Sequence, residues 1–179
     1  MEFTTDWHTH AIASWNEHLG HLKGQPIKTL EIGSFEGRSA VWTIENLLIN
    51  SQSTITCVDV WPVAEIEQRF DSNIVETGKS NQAAKVKLPS YRALRQLPLN
   101  QFDFIYIDGH HEGLNVLEDG VLSFRLLKPK GILIFDDYLW ESEKASIMPK
   151  PAIDAFLDLY QHNLKILHEG WQVICQKIQ

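Results

Sequence analysis

The chain has 179 residues, 44% of them hydrophobic, and carries 16 Lys and Arg against 23 Asp and Glu, a formal net charge of −7. That length is about one domain's worth, and that apolar share is enough for a substantial core. The acidic balance, with no Lys/Arg cluster longer than a pair, argues against a polyphosphate partner such as DNA or RNA and leaves a small molecule or a weakly charged acceptor.

The first stretch, MEFTTDWHTHAIASW, carries acids and histidines but no basic segment followed by a long apolar one. It reads as neither signal peptide nor membrane span, so the expected location is cytoplasmic. Ile12, Trp15, Leu19 and Leu22 recur at helical spacing until LKGQP stops the segment, which predicts an N-terminal helix within residues 1–25, packed on a core of residues 26–179 in a single domain. His8, His10, His18 and His21 fall in this region without an i, i+4 pair at His8-x-His10, and are read as surface residues, some of them available to an acceptor-side lid.

Short apolar runs then alternate with helical patterns. In order they are KTLEIG, a helix over 37–49, TITCVDVW, a weak helix near 63–75, VKL, a short helix near 91–97, FDFIYID, a helix over 112–127, and GILIFDD. FDFIYI and GILIF are nearly continuous apolar runs, which implies burial on both faces of a parallel sheet. The predicted class is therefore α/β, doubly wound. ESEKASIMPKP (141–151) is polar and proline-bearing and sits where a loop overlies the ligand crevice of such a sheet, a candidate lid. The helix PAIDAFLDLYQHN follows, with Ile153, Phe156, Leu157 and Tyr160 on one face, and LKILHEGWQVICQKI predicts an antiparallel hairpin around His-Glu-Gly. Cys57 and Cys175 lie in apolar strands without CxxC spacing and are read as buried thiols.

Three stretches carry chemistry. EIGSFEGRS (31–39) is a strand end, a tight turn and a helix start, where Gly33 and Gly37 allow close backbone approach. A dinucleotide fingerprint counted from Gly33 needs glycines where Phe35 and Arg38 stand, which disfavours NAD. Asp59 ends the next strand, where a carboxylate accepts the ribose hydroxyls of an adenosine or else caps the turn before Trp61-Pro62. IDGHHEG (107–113) sets Asp108, His110, His111 and Glu112 after an apolar strand. From the residues alone it is metal ligands, a general base, or a polar loop, because Asp-Gly is ordinary turn chemistry.

Taken together, the Glu-x-Gly-x-x-x-Gly-x-Ser loop, Asp59, IDGHHEG and GILIFDDY resemble a class I S-adenosylmethionine-dependent methyltransferase. More narrowly, they resemble the small O-methyltransferase-like group with Asp-Gly-x-His, a helix containing an Asp, and Asp-Asp-Tyr. The resemblance runs from about residue 27 to the C-terminus and implies a mostly parallel seven-stranded sheet whose final hairpin carries the reversed strand. It implies that Gly33, Ser34 and Gly37 cradle the methionine end of the cofactor, that Glu31 reaches its amino group, and that Asp59 holds the ribose. Trp61 would cover the adenine, Ser90 would supply a polar group on the adenine side, and Asp108 would border the cofactor. Phe35 departs from the middle glycine of many class I enzymes.

Asp108 ends one strand of that sheet, and Asp136 and Asp137 end its neighbour, about 4.8 Å away. The resemblance makes these three the ligands of Mg²⁺ or Mn²⁺, which relieves their mutual repulsion. It aligns His111 with the base that deprotonates the acceptor hydroxyl, leaving His110 to line the pocket or face solvent, while Asp119, in VLEDGVLSF, hydrogen-bonds a neighbouring loop. The implied activity is O-methylation of a hydroxyl on a small-molecule or sugar-like acceptor, with neither nucleic acid nor membrane as partner; assembly into a homodimer stays open. The alternatives are a non-catalytic S-adenosylmethionine- or nucleotide-binding domain and a metal-independent methyltransferase acting on another atom.

Overall fold

In the computed structural model, which describes residues 1–143 and 147–179, five parallel strands run in the order β3-β2-β1-β4-β5, and an antiparallel pair, β7 and β6, completes a seven-stranded sheet. The strands are β1 (Lys28–Ile32), β2 (Thr54–Asp59), β3 (Ala83–Lys87), β4 (Phe102–Ile107), β5 (Leu127–Phe135), β6 (Leu164–Glu169) and β7 (Val173–Lys177). The helices are α1 (Ile12–Leu19), α2 (Arg38–Asn46), α3 (Ala64–Glu76), α4 (Ser90–Ala93), α5 (Gly113–Leu126) and α6 (Pro149–Leu159). The doubly wound, mostly parallel architecture with a C-terminal hairpin is the one expected.

Why the central strands read as continuous apolar runs follows from their period of two. Phe104 and Tyr106 of β4 join one buried cluster, with Trp15, Leu19, Ile44 and Phe70 from α1, α2 and α3. Ile105 and Ile107 join the opposite cluster, with Val116, Ile153 and Phe156 from α5 and α6. Both faces are covered, so neither set of positions can be polar at low cost. Cys57 and Cys175 are free and buried, as expected. No helix among the described residues is long and apolar enough to cross a membrane.

Several boundaries differ from the sequence reading. The predicted helix at 37–49 stops at Asn46, and α4 is a single turn continued by a 3-10 turn at Leu94–Gln96. Pro149 and Pro151 start α6 earlier than expected, where their fixed φ suits a first turn and their missing amides cost nothing. The candidate lid at 141–151 falls partly on residues 144–146, outside the described residues, and its last residues are the first turn of α6.

Residues 1–8 are not helical. They cross the loop after β1: the Thr4 amide and hydroxyl donate to Glu36 (2.7 and 2.9 Å), the Glu2 amide to Asn73 (2.8 Å), and Arg38 pairs with Asp6 (2.8 Å). This strap delivers His8 into the protein, where it is 4% exposed, against the expectation of a surface residue. The reason is tertiary: its ring packs edge-on to Trp15 at 4.5 Å and lies 5.7 Å from Trp42.

Candidate active site

The order reverses between β1 and β4, so their following loops leave toward opposite faces and open a crevice at the carboxyl ends. Gly33 stands at that point with φ 84°, and a Cβ there would lie 2.0 Å from the Asp108 carbonyl oxygen. Gly37, the residue before α2, has φ 83°, and its Cβ would meet the Phe70 ring at 2.9 Å. In the direction a side chain would take, both glycines meet the protein's own atoms.

Between them the loop is braced from β2. Asp59 Oδ2 accepts the amides of Ser34 and Phe35 at 2.9 Å each, and Oδ1 accepts that of Trp61 at 3.0 Å. Trp61, placed as an adenine cover by the resemblance, is 2% exposed, lies 4.7 Å from Phe70, and donates from its indole to the Phe35 carbonyl at 2.8 Å. Its ring is a support for the loop and offers no open face. Beneath the loop, Glu31 is 2% exposed with Oε1 unpartnered. Burial drives its carboxyl up to about 8; nearby Asp59 adds to the rise, and the Ser34 and Ser39 hydroxyls oppose it. An open cleft lies over Gly33, Ser34, Ser39 and Asp108 and is walled by Trp7 and His8.

Ser90 begins α4 and lies near Asp119, a 1%-exposed carboxyl with Oδ2 unpartnered that burial raises to about 7, the Ser90 hydroxyl opposing the rise.

Near the ends of β4 and β5, Asp108 Oδ2 accepts from the Tyr106 hydroxyl at 3.0 Å, and the same hydroxyl makes a short contact with Asp136 Oδ2. Gln172 Nε2 donates to that Asp136 oxygen (3.0 Å), and Gln172 Oε1 in turn accepts from the Trp15 indole (2.8 Å). One phenol has one proton, so its two carboxyl neighbours compete for it. Burial, and next the charges of Asp136 and Asp137, push Asp108 well above the usual carboxylate range; burial also raises Asp136.

Asp137 has φ 57°, a left-handed turn that separates its side chain from that of Asp136. Its Oδ2 lies 2.6 Å from His111 Nε2. Ligand-capable atoms of Asp108, His111 and Asp137 lie within 4.8 Å of one another, the one such group among the described residues. Of the expected trio, Asp108 and Asp137 are brought together, beside His111, while Asp136 is 7% exposed and committed to Tyr106 and Gln172. The hydrogen bond to Asp137 raises the His111 pKa, and burial opposes it. His110 is exposed and its Nδ1 accepts the Glu112 amide at 3.1 Å, a local turn contact. A second, smaller hollow is lined by His111, Asp137, Val116, Phe135 and Asp108, so Asp108 borders both hollows.

Sequence reasoning missed His8, Tyr106 and Gln172. Tyr106 had a signal, the lone hydroxyl in an otherwise apolar buried strand, since a buried phenol needs a partner. Gln172, in a hairpin turn, had none.

Residues 30–138 match the family described as a methyltransferase domain. An uncharacterised protein, R132, of Acanthamoeba polyphaga mimivirus is 29% identical over 126 residues, 67% of this chain, and the chain spans 55% of that relative's length. Among solved structures, the O-methyltransferase TomG of Streptomyces achromogenes, involved in tomaymycin synthesis and bound to S-adenosylmethionine, superposes with a TM-score of 0.75 at 14% identity, over 94% of this chain and 81% of that one. The Bacillus cereus O-methyltransferase bound to S-adenosylhomocysteine gives 0.72 at 18% identity, over 97% and 84%. MycE of the mycinamycin pathway, in complex with Mg and S-adenosylhomocysteine, gives 0.68 at 14% identity, over 98% of this chain and 51% of that one.

Proposed function

Because the chain belongs to the methyltransferase domain family, matched over residues 30–138, with the class I fold, we propose that it moves a methyl group from S-adenosylmethionine to a hydroxyl oxygen of a small-molecule or sugar-like acceptor. The observation that carries this reading is the position of Asp108, shared by a hollow at the glycine loop and a hollow at His111 and Asp137. We read residues 1–179 as one methyltransferase unit.

The donor set suits the cofactor. Glu31 keeps a buried carboxyl oxygen unpartnered, which an α-ammonium would satisfy. Asp59 uses three backbone amides, and a carboxylate has about four lone-pair sites, so one further hydroxyl can be accepted there. When bound, S-adenosylmethionine supplies a methyl group on a positively charged sulfur. The chain's own task is then to hold the acceptor oxygen in line and remove its proton. His111 is the group we assign to the proton, through Nδ1: Nε2 faces Asp137 and keeps its N–H, since a carboxylate only accepts, and that carboxylate orients the ring and favours the imidazolium that forms.

A second reading rests on the mutual proximity of Asp108, His111 and Asp137. These would hold a divalent ion, Mn²⁺ better than Mg²⁺ because one donor is an imidazole, and the ion would supply positive charge beside an acceptor oxygen. In that case His111 is a ligand, and an imidazole whose one free lone pair is on the ion cannot also serve as the base.

Transfer of labelled methyl from S-adenosylmethionine to a panel of polyols and phenols, with and without EDTA, tests both. Transfer in EDTA supports the base reading, and transfer only with added Mn²⁺ or Mg²⁺ supports the ion. No methyl transfer to any oxygen, with S-adenosylmethionine still bound, would leave the binding-domain alternative.

A further inference from the structure

The cleft at the glycine loop is completed by residues that precede the family-matched segment of 30–138. The strap places His8 in its wall through the contacts of Thr4 with Glu36 and of Asp6 with Arg38, and Glu36 is itself 2% exposed and paired with Arg69 at 3.0 Å. His8 is thus held in position from outside the loop that it faces.

Both ring nitrogens of His8 are buried without a hydrogen-bond partner. A neutral imidazole has one donor and one acceptor, and leaving them unmet in a shielded place costs free energy. Edge-on packing against Trp15 offers at most a weak contact with a ring face, which cannot answer for two nitrogens. Two more unpartnered buried atoms occur at the same loop, Glu31 Oε1 and Ser34 Oγ. The Ser34 hydroxyl is close enough to temper the Glu31 pKa but meets no partner at hydrogen-bonding geometry.

An acceptor that lacks a cation, together with donors that lack an acceptor, is the complement of an amino-acid zwitterion. We propose that His8 binds the amino-acid end of the cofactor, its ring N–H donating to the α-carboxylate while Glu31 receives the α-ammonium. The inference rests on the cofactor reading above and adds to it a residue outside the family segment. Arg38, the stronger carboxylate binder in principle, is already committed to Asp6 at 2.8 Å and to Thr9 at 3.0 Å. Burial lowers the His8 pKa to about 4, so near neutral pH the ring keeps one N–H and brings no charge to compete with the ammonium.

The test compares S-adenosylhomocysteine with 5′-methylthioadenosine, which lacks the amino-acid portion, by calorimetric titration. His8→Phe keeps a flat ring between the tryptophans and removes both nitrogens. It should weaken S-adenosylhomocysteine by about 10- to 100-fold, the range for a hydrogen bond to a charged group, and leave 5′-methylthioadenosine within about 2-fold. His8→Gln, which restores a donor, should recover part of the loss. Equal weakening of both ligands would reduce His8 to packing, and unchanged S-adenosylhomocysteine affinity would remove it from the site; either overturns the proposal. Wild-type protein that binds neither ligand would overturn the cofactor reading itself. Should circular dichroism find His8→Phe unfolded, the ¹⁵N resonances of the His8 ring in wild-type protein decide. They must move on adding S-adenosylhomocysteine and stay on adding 5′-methylthioadenosine, and a ring that ignores both sinks the proposal.

Discussion

His110 and His111 are adjacent in sequence and unequal in place. His110 serves a turn amide, whereas His111 reaches Asp137 at 2.6 Å. His111→Ala should therefore lower kcat by about 10²- to 10⁴-fold with cofactor affinity nearly intact, and His110→Ala should cost far less. Steady-state kinetics decides, and a His110 variant worse than the His111 variant would reverse the assignment. Glu31 gives a second prediction through its proton. Its folded pKa is raised from 4.5 to about 8, so the folded chain keeps a proton that the unfolded chain gives up, and stability drains as pH rises through that window. An ammonium beside Oε1 reverses the preference, so cofactor binding near neutral pH should release up to one proton, and affinity should strengthen with pH until about 8. Calorimetry in buffers of different ionisation enthalpy measures that proton, and Glu31→Gln should abolish it. If wild type and Glu31→Gln release the same number, the ammonium sits elsewhere.

The loop after β1 is set by what touches it. Gly33→Ala would put a methyl carbon 2.0 Å from the Asp108 carbonyl, forcing the ends of β1 and β4 apart. Gly24 has a similar φ of 78° with nothing within 4 Å. Gly33→Ala should cost roughly 2–4 kcal/mol and Gly24→Ala about 1 kcal/mol, the backbone strain alone. Urea midpoints compare them, and equal costs would mean that the strands yield. These elements also divide what was legible in the sequence from what was not. β4 and β5 were readable because FDFIYI and GILIF must be buried on both faces, and the hairpin because its strands flank a turn. Asp59 was readable as the acid after β2. The inward turn of Asp136, the burial of Trp61 and the entry of His8 were not, since each depends on a partner more than 25 residues away, Gln172, Phe35 and Trp42 respectively. Sequence spacing sees neighbours on one element and is blind to which side of a strand end a free side chain takes.

Across the whole molecule, α1 belongs to the same core as the sheet. Trp15 is 0% exposed and lies 5.3 Å from Phe104 and 4.9 Å from Tyr106. Its indole starts a hydrogen-bonded chain through Gln172, Asp136 and Tyr106 to Asp108, joining both termini to the crevice. Trp15→Ala should cost roughly 3–5 kcal/mol in a single cooperative unfolding step. A separate, earlier transition would mean that the N-terminal helix detaches on its own. The backbone has a polarity too. Of the non-glycine residues with positive φ, Phe35, Trp61 and Asp137 stand at one rim, just past the ends of β1, β2 and β5, beside Gly33 and Gly37. Left-handed backbone costs an L-residue about 1–2 kcal/mol, so this rim is a loaded spring held by Asp59, Phe35 and His111 contacts. It should act as a thermal fuse. On warming, amide exchange should quicken at residues 33–37 and 136–138 before the strands behind them loosen, and ligand binding should fail at a lower temperature than the fold.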